Sequence, residues 1–287
     1  MSRTLSDKPL RWHKIQNSDR DKAETFLRER ENFCVAASAR FLHMNGKAGH
    51  VWYMGEDSGG IRALLIHHRR TLYPVFNGHS KIPQLHFLNR FLGKVKIHAL
   101  QGLGMDTELL ESQTIAQGYI PIERIEYDLM SLDGKPLSES FGAGPSTLVL
   151  RPPLAKDRED LYALQSAYER EEVLPSDGIF NPAASRLNLE QILEHEKILV
   201  AELDGRAVGK INTSAESFTR YMIGGVYVHP AYRGRGIGLK MTAVFIRELA
   251  ARGKGATLFV KKNNAAARKV YSRAGFTVLA NYRISYY

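Results

Sequence analysis

The chain is predicted to fold as two α/β domains in tandem, each a mixed sheet flanked by helices. Three observations carry this reading. Short β-branched runs alternate with amphipathic segments through residues 146–287. The same element order recurs in weaker form through residues 1–133. Residues 134–145, dense in Gly, Pro and Ser and without apolar period, read as a linker between the two.

The second half is read in order as follows. Thr147 to Arg151 is a short strand stopped by Pro152-Pro153. Asp157 to Leu174 is a helix with Leu161, Leu164, Ala167 and Tyr168 on one stripe, and a second helix covers about Leu187 to His195. Ile198–Leu203 and Ala207–Ile211 form a hairpin across Asp204-Gly205. Tyr221 to Val228 is a strand, and the Gly-rich segment after it opens a helix from Ile237 to about Arg252. Thr257–Val260, Ala265–Arg273 and Val278–Tyr286 follow as strand, helix and strand.

In the first half, Asp19 to Leu42 reads as helical. Val51–Met54 and Ile61–Ile66 flank a turn at Asp57-Ser58-Gly59-Gly60, and Leu72–Phe76 is a strand. A helix at Leu85–Leu92, a strand at Val95–Leu100, a helix at Thr107–Gln117 and a strand at Ile122–Leu129 complete it. Gly118-Tyr119 stands where Gly275-Phe276 stands in the second half, as an internal duplication requires.

Composition excludes several classes. No apolar run approaches the roughly 18 residues that would span a bilayer, so no membrane partner is expected. The first residues carry no apolar core of a signal peptide, and a cytoplasmic location is expected. Cys34 is the single cysteine, which removes internal disulfides and cysteine metal sites, and the histidines lack metal spacing; no metal is expected. The net charge of +10 is unevenly placed: residues 233–287 hold 12 Lys/Arg against Glu248 alone. Such a field attracts polyanions, nucleic acid included, but here it surrounds a phosphate-binding motif, which favours a small phosphorylated ligand.

That motif is Arg233-Gly234-Arg235-Gly236-Ile237-Gly238, placed between a strand and a helix. Its glycines let backbone N–H groups approach a ligand, and the helix directs its positive end to the same spot. A dinucleotide loop would need an acidic residue about 20 positions on, where Arg252 to Lys254 stand, and the Gly-Lys-Ser/Thr of a Walker loop is absent.

Val226-Tyr227-Val228-His229-Pro230-Ala231-Tyr232 running into this loop gives the spacing V-x-V-x-P-x-Y-R-x-x-G-x-G. It resembles the acetyl-CoA signature of the GNAT superfamily of N-acetyltransferases. Asn264-Ala265-Ala266-Ala267, Tyr271 and Gly275-Phe276 resemble a second segment of that superfamily, N-x-x-A-x-x-x-Y-x-x-x-G-F. The resemblance covers residues 146–287, and the paired arrangement is similar to GNAT proteins whose first half is a degenerate copy.

The resemblance implies two GNAT-like domains in tandem, each a mostly antiparallel mixed sheet, with acetyl-CoA as co-substrate of the second. The strand ending in Val226, Tyr227 and Val228 would splay from its neighbour and pair with the pantetheine arm. The Val228 N–H would polarise the thioester carbonyl. Gly234, Gly236 and Gly238, with Arg233, Arg235 and Ile237, would hold the pyrophosphate, and Asn264 would meet the pantetheine side.

Tyr271 is the candidate acid, because a phenol is protonated at neutral pH and can donate to a departing thiolate. Family members often carry a glutamate base on the strand that holds Gly224-Gly225 here. Glu171 and Glu172 are the expected substitutes, with Glu202 and Glu216 behind them. The first half has Asn77-Gly78-His79-Ser80-Lys81-Ile82-Pro83 in place of the loop and is not expected to bind CoA. The expected activity is transfer of an acetyl group to an amine of a small-molecule or amino-acid-like acceptor. The alternative is a non-catalytic acyl-CoA sensor or partner-binding protein on the same scaffold.

Overall fold

The computed structural model describes residues 11–44, 49–55, 60–78, 85, 87–133, 145–176 and 178–287. It divides into two compact units, Met1–Glu126 with Asn281–Tyr287, and Tyr127–Ala280. The expected linker lies outside the described residues except for Pro145, as do residues 57–59 and 79–84.

The first half runs β1 (Trp12–Lys14), α1 (Arg20–Glu29), α2 (Glu31–His43), β2 (Gly49–Gly55), β3 (Ile61–His68) and β4 (Thr71–Phe76). It continues with α3 (Leu88–Leu92), β5 (Ala99–Leu103), α4 (Gly104–Ile115) and β6 (Glu123–Leu132). The second half repeats that order. It runs β7 (Val149–Arg151), α5 (Arg158–Tyr168), α6 (Pro182–His195), β8 (Ile198–Leu203), β9 (Arg206–Glu216) and β10 (Arg220–Val228). Then come α7 (Ile237–Ala250), β11 (Gly255–Lys261), α8 (Ala265–Arg273) and β12 (Thr277–Tyr286). Both units are therefore mixed sheets flanked by helices: β4 runs parallel to β5 and β10 to β11, whereas β2 with β3, β3 with β4, β7 with β8, β8 with β9 and β9 with β10 are antiparallel.

The division differs from the expected limits at residues 133 and 146. The β6 residues from Tyr127 onward pair with β11 and belong to the second unit, whereas Tyr282–Tyr286 of β12 pair with β5 in the first. A loose, Gly-rich stretch marks where the chain is free of secondary structure. It does not say which sheet a last strand will join.

The second unit is organised by α7. Ile237, Met241, Phe245 and Leu249, each four apart, are buried in one cluster with Leu199, Ile211, Ile223, Leu258 and Phe276. Each such side chain contributes about 1.5–3 kcal/mol on burial, which fixes the helix N-terminus against the end of β10. α6 begins five residues earlier than expected. Asn181 caps it, its Oδ1 accepting from the Ala184 N–H at 3.0 Å, and Pro182 takes the first helical position, where a missing N–H costs nothing. α5 stops at Tyr168 and passes into a π turn, Glu169–Val173, rather than continuing as a helix to Leu174.

Candidate active site

The site is built where β10 leaves the sheet. β10 pairs with parallel β11 only over Arg220–Met222 against Gly255–Thr257, although β10 runs on to Val228 and β11 to Lys261. Beyond that point the two strands part. On its other side β10 carries a bulge, since the register with β9 shifts between Gly224 and Tyr227. Gly225 sits there at φ +57°, a left-handed conformation that disfavours a side chain.

Past the bulge, the His229 N–H donates to the Val208 carbonyl of β9 at 2.9 Å. Successive strand residues alternate sides, so the N–H and carbonyl of Val228 face away from β9, towards the parting. The Val228 carbonyl is met by Nε of Arg233 at 3.0 Å.

The loop then closes on α7. Gly234 and Gly236 both take φ +78°, and Gly236 is the residue from which the helix starts. A Cβ built on Gly234 would meet nothing within 4 Å, so the loop's outer surface is open. The first amides of α7 lack intrahelical acceptors, as at any helix start, and Arg235 lies near the Tyr232 ring at 5.4 Å. These features fit a pyrophosphate: free donors, a positive helix end and no side chain in the way.

The carboxylates expected to act as bases are engaged otherwise. Glu171, in the π turn, receives two hydrogen bonds from Arg233 at 2.9 and 2.8 Å and one from the Tyr227 hydroxyl at 3.0 Å. Those Arg233 bonds hold its carboxyl below the usual range despite partial burial, which makes it a poor proton acceptor. Glu172 accepts from Asn264 Nδ2 at 3.0 Å and lies 3.5 Å from Lys261 Nζ. Glu202 is bound by Arg151 and Lys156, and Glu216 by Lys197 and Lys254. The expectation of a base at Glu171 or Glu172 therefore lacks geometric support: both clasp the π turn to the end of β10 and the start of α8.

The same clasp reassigns two expected ligand residues. Arg233 is spent on Glu171 and Val228 rather than left for a phosphate. Asn264 caps α8, its Oδ1 accepting from the Ala267 N–H at 3.0 Å while its amide holds Glu172.

Tyr271 is buried on α8, edge-on to Phe276 with ring centroids 6.1 Å apart. Burial raises its pKa, and the nearby Tyr168 and Glu172 add to the effect. The phenol is thus held in its protonated, donating form.

Lys210 was not among the residues expected from the sequence. This β9 residue is 1% exposed, and its Nζ donates to Asn212 Oδ1 at 2.9 Å and to the Gly225 carbonyl at 3.1 Å. The available signal was a polar pair at i and i+2, Lys210 and Asn212, flanking Ile211 in a strand whose neighbour carries Gly224-Gly225. Among the described residues no cluster of three or more metal-ligating side chains occurs, and no helix is long and apolar enough to cross a membrane.

Residues 159–276, inside the second unit, match the Acetyltransferase (GNAT) family. Over 93 residues the chain is 38% identical to a mycothiol acetyltransferase of Streptomyces bingchenggensis, covering 31% of this chain and 29% of that protein. It is 33% identical over 88 residues to an L-methionine sulfoximine/L-methionine sulfone acetyltransferase of Salmonella typhimurium, covering 29% of this chain and 52% of that protein. The alignments thus span about a third and half of these relatives. A tandem GNAT protein from the clavulanic acid biosynthesis pathway shares the fold across 96% of this chain and 98% of its own, at 13% identity and a TM-score of 0.57. The fold is two GNAT-like units in tandem.

Proposed function

We propose that this chain is an acetyl-CoA-dependent N-acetyltransferase whose second unit acetylates an amine on a small-molecule or amino-acid-like acceptor. The carrying observation is the parting of β10 from β11 directly beside the glycine loop that opens α7. It leaves one edge of β10 without a ladder partner at the point where a helix N-terminus offers anion-binding amides. The names of both relatives, which denote acetyltransferases, support the reaction class.

When bound, acetyl-CoA supplies an activated acetyl thioester and a thiol leaving group. The amides of Gly234, Gly236, Ile237 and Gly238 hold the pyrophosphate, with Arg235 adding positive charge and Arg233 bracing the loop. The exposed edge at Val226, Tyr227 and Val228 orients the pantetheine arm. The Val228 N–H stabilises charge on the acetyl oxygen, a role that supplies about 2.7–4 kcal/mol in comparable sites. Tyr271 gives its phenolic proton to the departing sulfur. The first unit is proposed not to bind the coenzyme.

The test is thiol release from acetyl-CoA with an amine panel of L-methionine sulfone, amino acids, diamines and amino sugars, each product identified by mass. We expect at least one amine to be acetylated well above background. Tight acetyl-CoA binding with no acetylated product would make the chain a binding protein instead.

A further inference from the structure

We propose that Lys210 is the general base of the transfer reaction, its neutral Nζ taking a proton from the acceptor ammonium at the β10 bulge. This rests on the acetyltransferase reading above and supplies the group which that reading leaves unassigned.

Placement favours the role. A side chain at Gly225 has no room: its Cβ would lie 1.9 Å from Asn212 Oδ1 and 2.6 Å from Lys210 Nζ. The volume beside the bulge is therefore filled from the neighbouring strand, by Lys210 and Asn212, and no β10 carboxylate could enter it. Nζ arrives where β10 has left its regular ladder, two to three residues before Val228.

Valence favours it too. A neutral amine has two N–H donors and one lone pair. Two acceptors, Asn212 Oδ1 and the Gly225 carbonyl, meet Nζ at hydrogen-bond distance. Asn212 is fixed with its oxygen towards Nζ because its Nδ2 donates to the Thr213 carbonyl at 2.7 Å. Both N–H groups are satisfied in the neutral form and the lone pair stays free.

Electrostatics point the same way. Among the described residues no carboxylate is in salt-bridge contact with Nζ. The Tyr168 ring, 5.3 Å from it, and Glu169 are the groups of the α5 end that face it. Glu169 is itself held by Gln165 Nε2 at 2.7 Å and Asn188 Nδ2 at 2.8 Å. Burial prevails over the Glu169 charge and brings the Lys210 pKa down to about 7, where a base works best at neutral pH.

The protons balance. The acceptor ammonium loses one proton to Nζ, and the free amine forms the C–N bond to the acetyl carbon. As the C–S bond breaks, Tyr271 protonates sulfur, and the remaining excess proton on nitrogen restores the phenol. Nζ then returns its proton to water, so one proton is released per turnover.

The experiment joins a direct titration to a pH–rate profile on the full chain. Nζ resonances of 15N-lysine-labelled protein are followed across pH, with Lys210→Met to assign the signal and Lys210→Gln, which keeps a donor, as a second variant. We expect Nζ of Lys210 to titrate near 7. With the fastest acceptor of the amine panel, wild-type kcat/KM should rise through the same pH. Both variants should lose that limb and at least roughly 10²-fold in rate, with acetyl-CoA affinity within about twofold of wild type. Titration near 10, or a variant that keeps the wild-type limb, would overturn the role of Lys210 while leaving the transfer reading in place. No acetylated product from the wild-type chain would remove the transfer reading, and the base with it.

Discussion

In the proposed transfer a thiolate leaving the acetyl group needs a proton, and Tyr271 is the residue assigned to give it. Its ring is buried and packed on Phe276, and the low-dielectric site keeps the phenol protonated. Replacing Tyr271 with Phe should leave acetyl-CoA affinity nearly unchanged and lower kcat roughly 10²-fold. A donor whose thiol has a lower pKa should recover part of the loss, since it leaves with less help. Equal rates for variant and wild type with both donors would reduce Tyr271 to a packing residue. Tyr271 stood out in the sequence through the resemblance of Asn264, Ala267, Tyr271 and Gly275-Phe276 to a GNAT segment; helical spacing alone reads it as a core aromatic. The fate of Glu171 was not legible there. Whether a carboxylate is free depends on which cation reaches it in space, and Arg233 comes from a distant part of the chain. Lys210 was hidden for a related reason: a lysine in a strand reads as a solvated edge until its burial is known.

At the scale of elements, the site depends on the path of β10. The bulge at Gly225 interrupts the ladder with β9, and the parallel ladder with β11 ends at Met222. Gly225→Ala should therefore do more than add a methyl group. It would force a side chain into a left-handed conformation and push on Asn212 and Lys210, costing about 2–5 kcal/mol. Urea unfolding of the variant measures this; a loss below roughly 1 kcal/mol would show that the bulge can relax and does not hold Lys210 in place. Most elements were legible from period and turn chemistry, including the β8–β9 hairpin and the buried stripe of α7. β1, only three residues long and mostly exposed, gave no pattern to read. The start of α6 was masked by Pro182, which signals a break unless the capping Asn181 before it is weighed. The π turn after α5 has no periodic signature in the sequence.

Over the whole molecule, one element order occurs twice, and the last strand of each half contributes to the other unit's sheet. The repetition was legible in the sequence; the exchange was not, because strand patterns state which residues are buried and not which edge they cover. The two units also differ where it matters for a ligand. α7 has 14 residues and a glycine-rich start, whereas α3 has five. In the first unit β4 and β5 are paired only at Thr71–Leu72 and Ala99–Leu100, yet a Cβ on Gly102 would lie 3.2 Å from the Pro74 carbonyl, so the strands stay in contact. The chain should thus hold a single coenzyme. The most direct measurement is calorimetric titration of CoA into the full chain and into Gly238→Asp. Gly238 has ordinary helical space, since a Cβ there would lie 3.8 Å from Val228 Cγ2, and an aspartate in the first turn favours the helix. The fold should survive, while a carboxylate some 5–6 Å from a phosphate opposes binding by about 3 kcal/mol, or about 100-fold. Close to one equivalent of CoA should bind per wild-type chain, with that loss in the variant at an unchanged or higher Tm. Two equivalents, or full affinity in a folded Gly238→Asp, would contradict a single coenzyme site at the α7 loop.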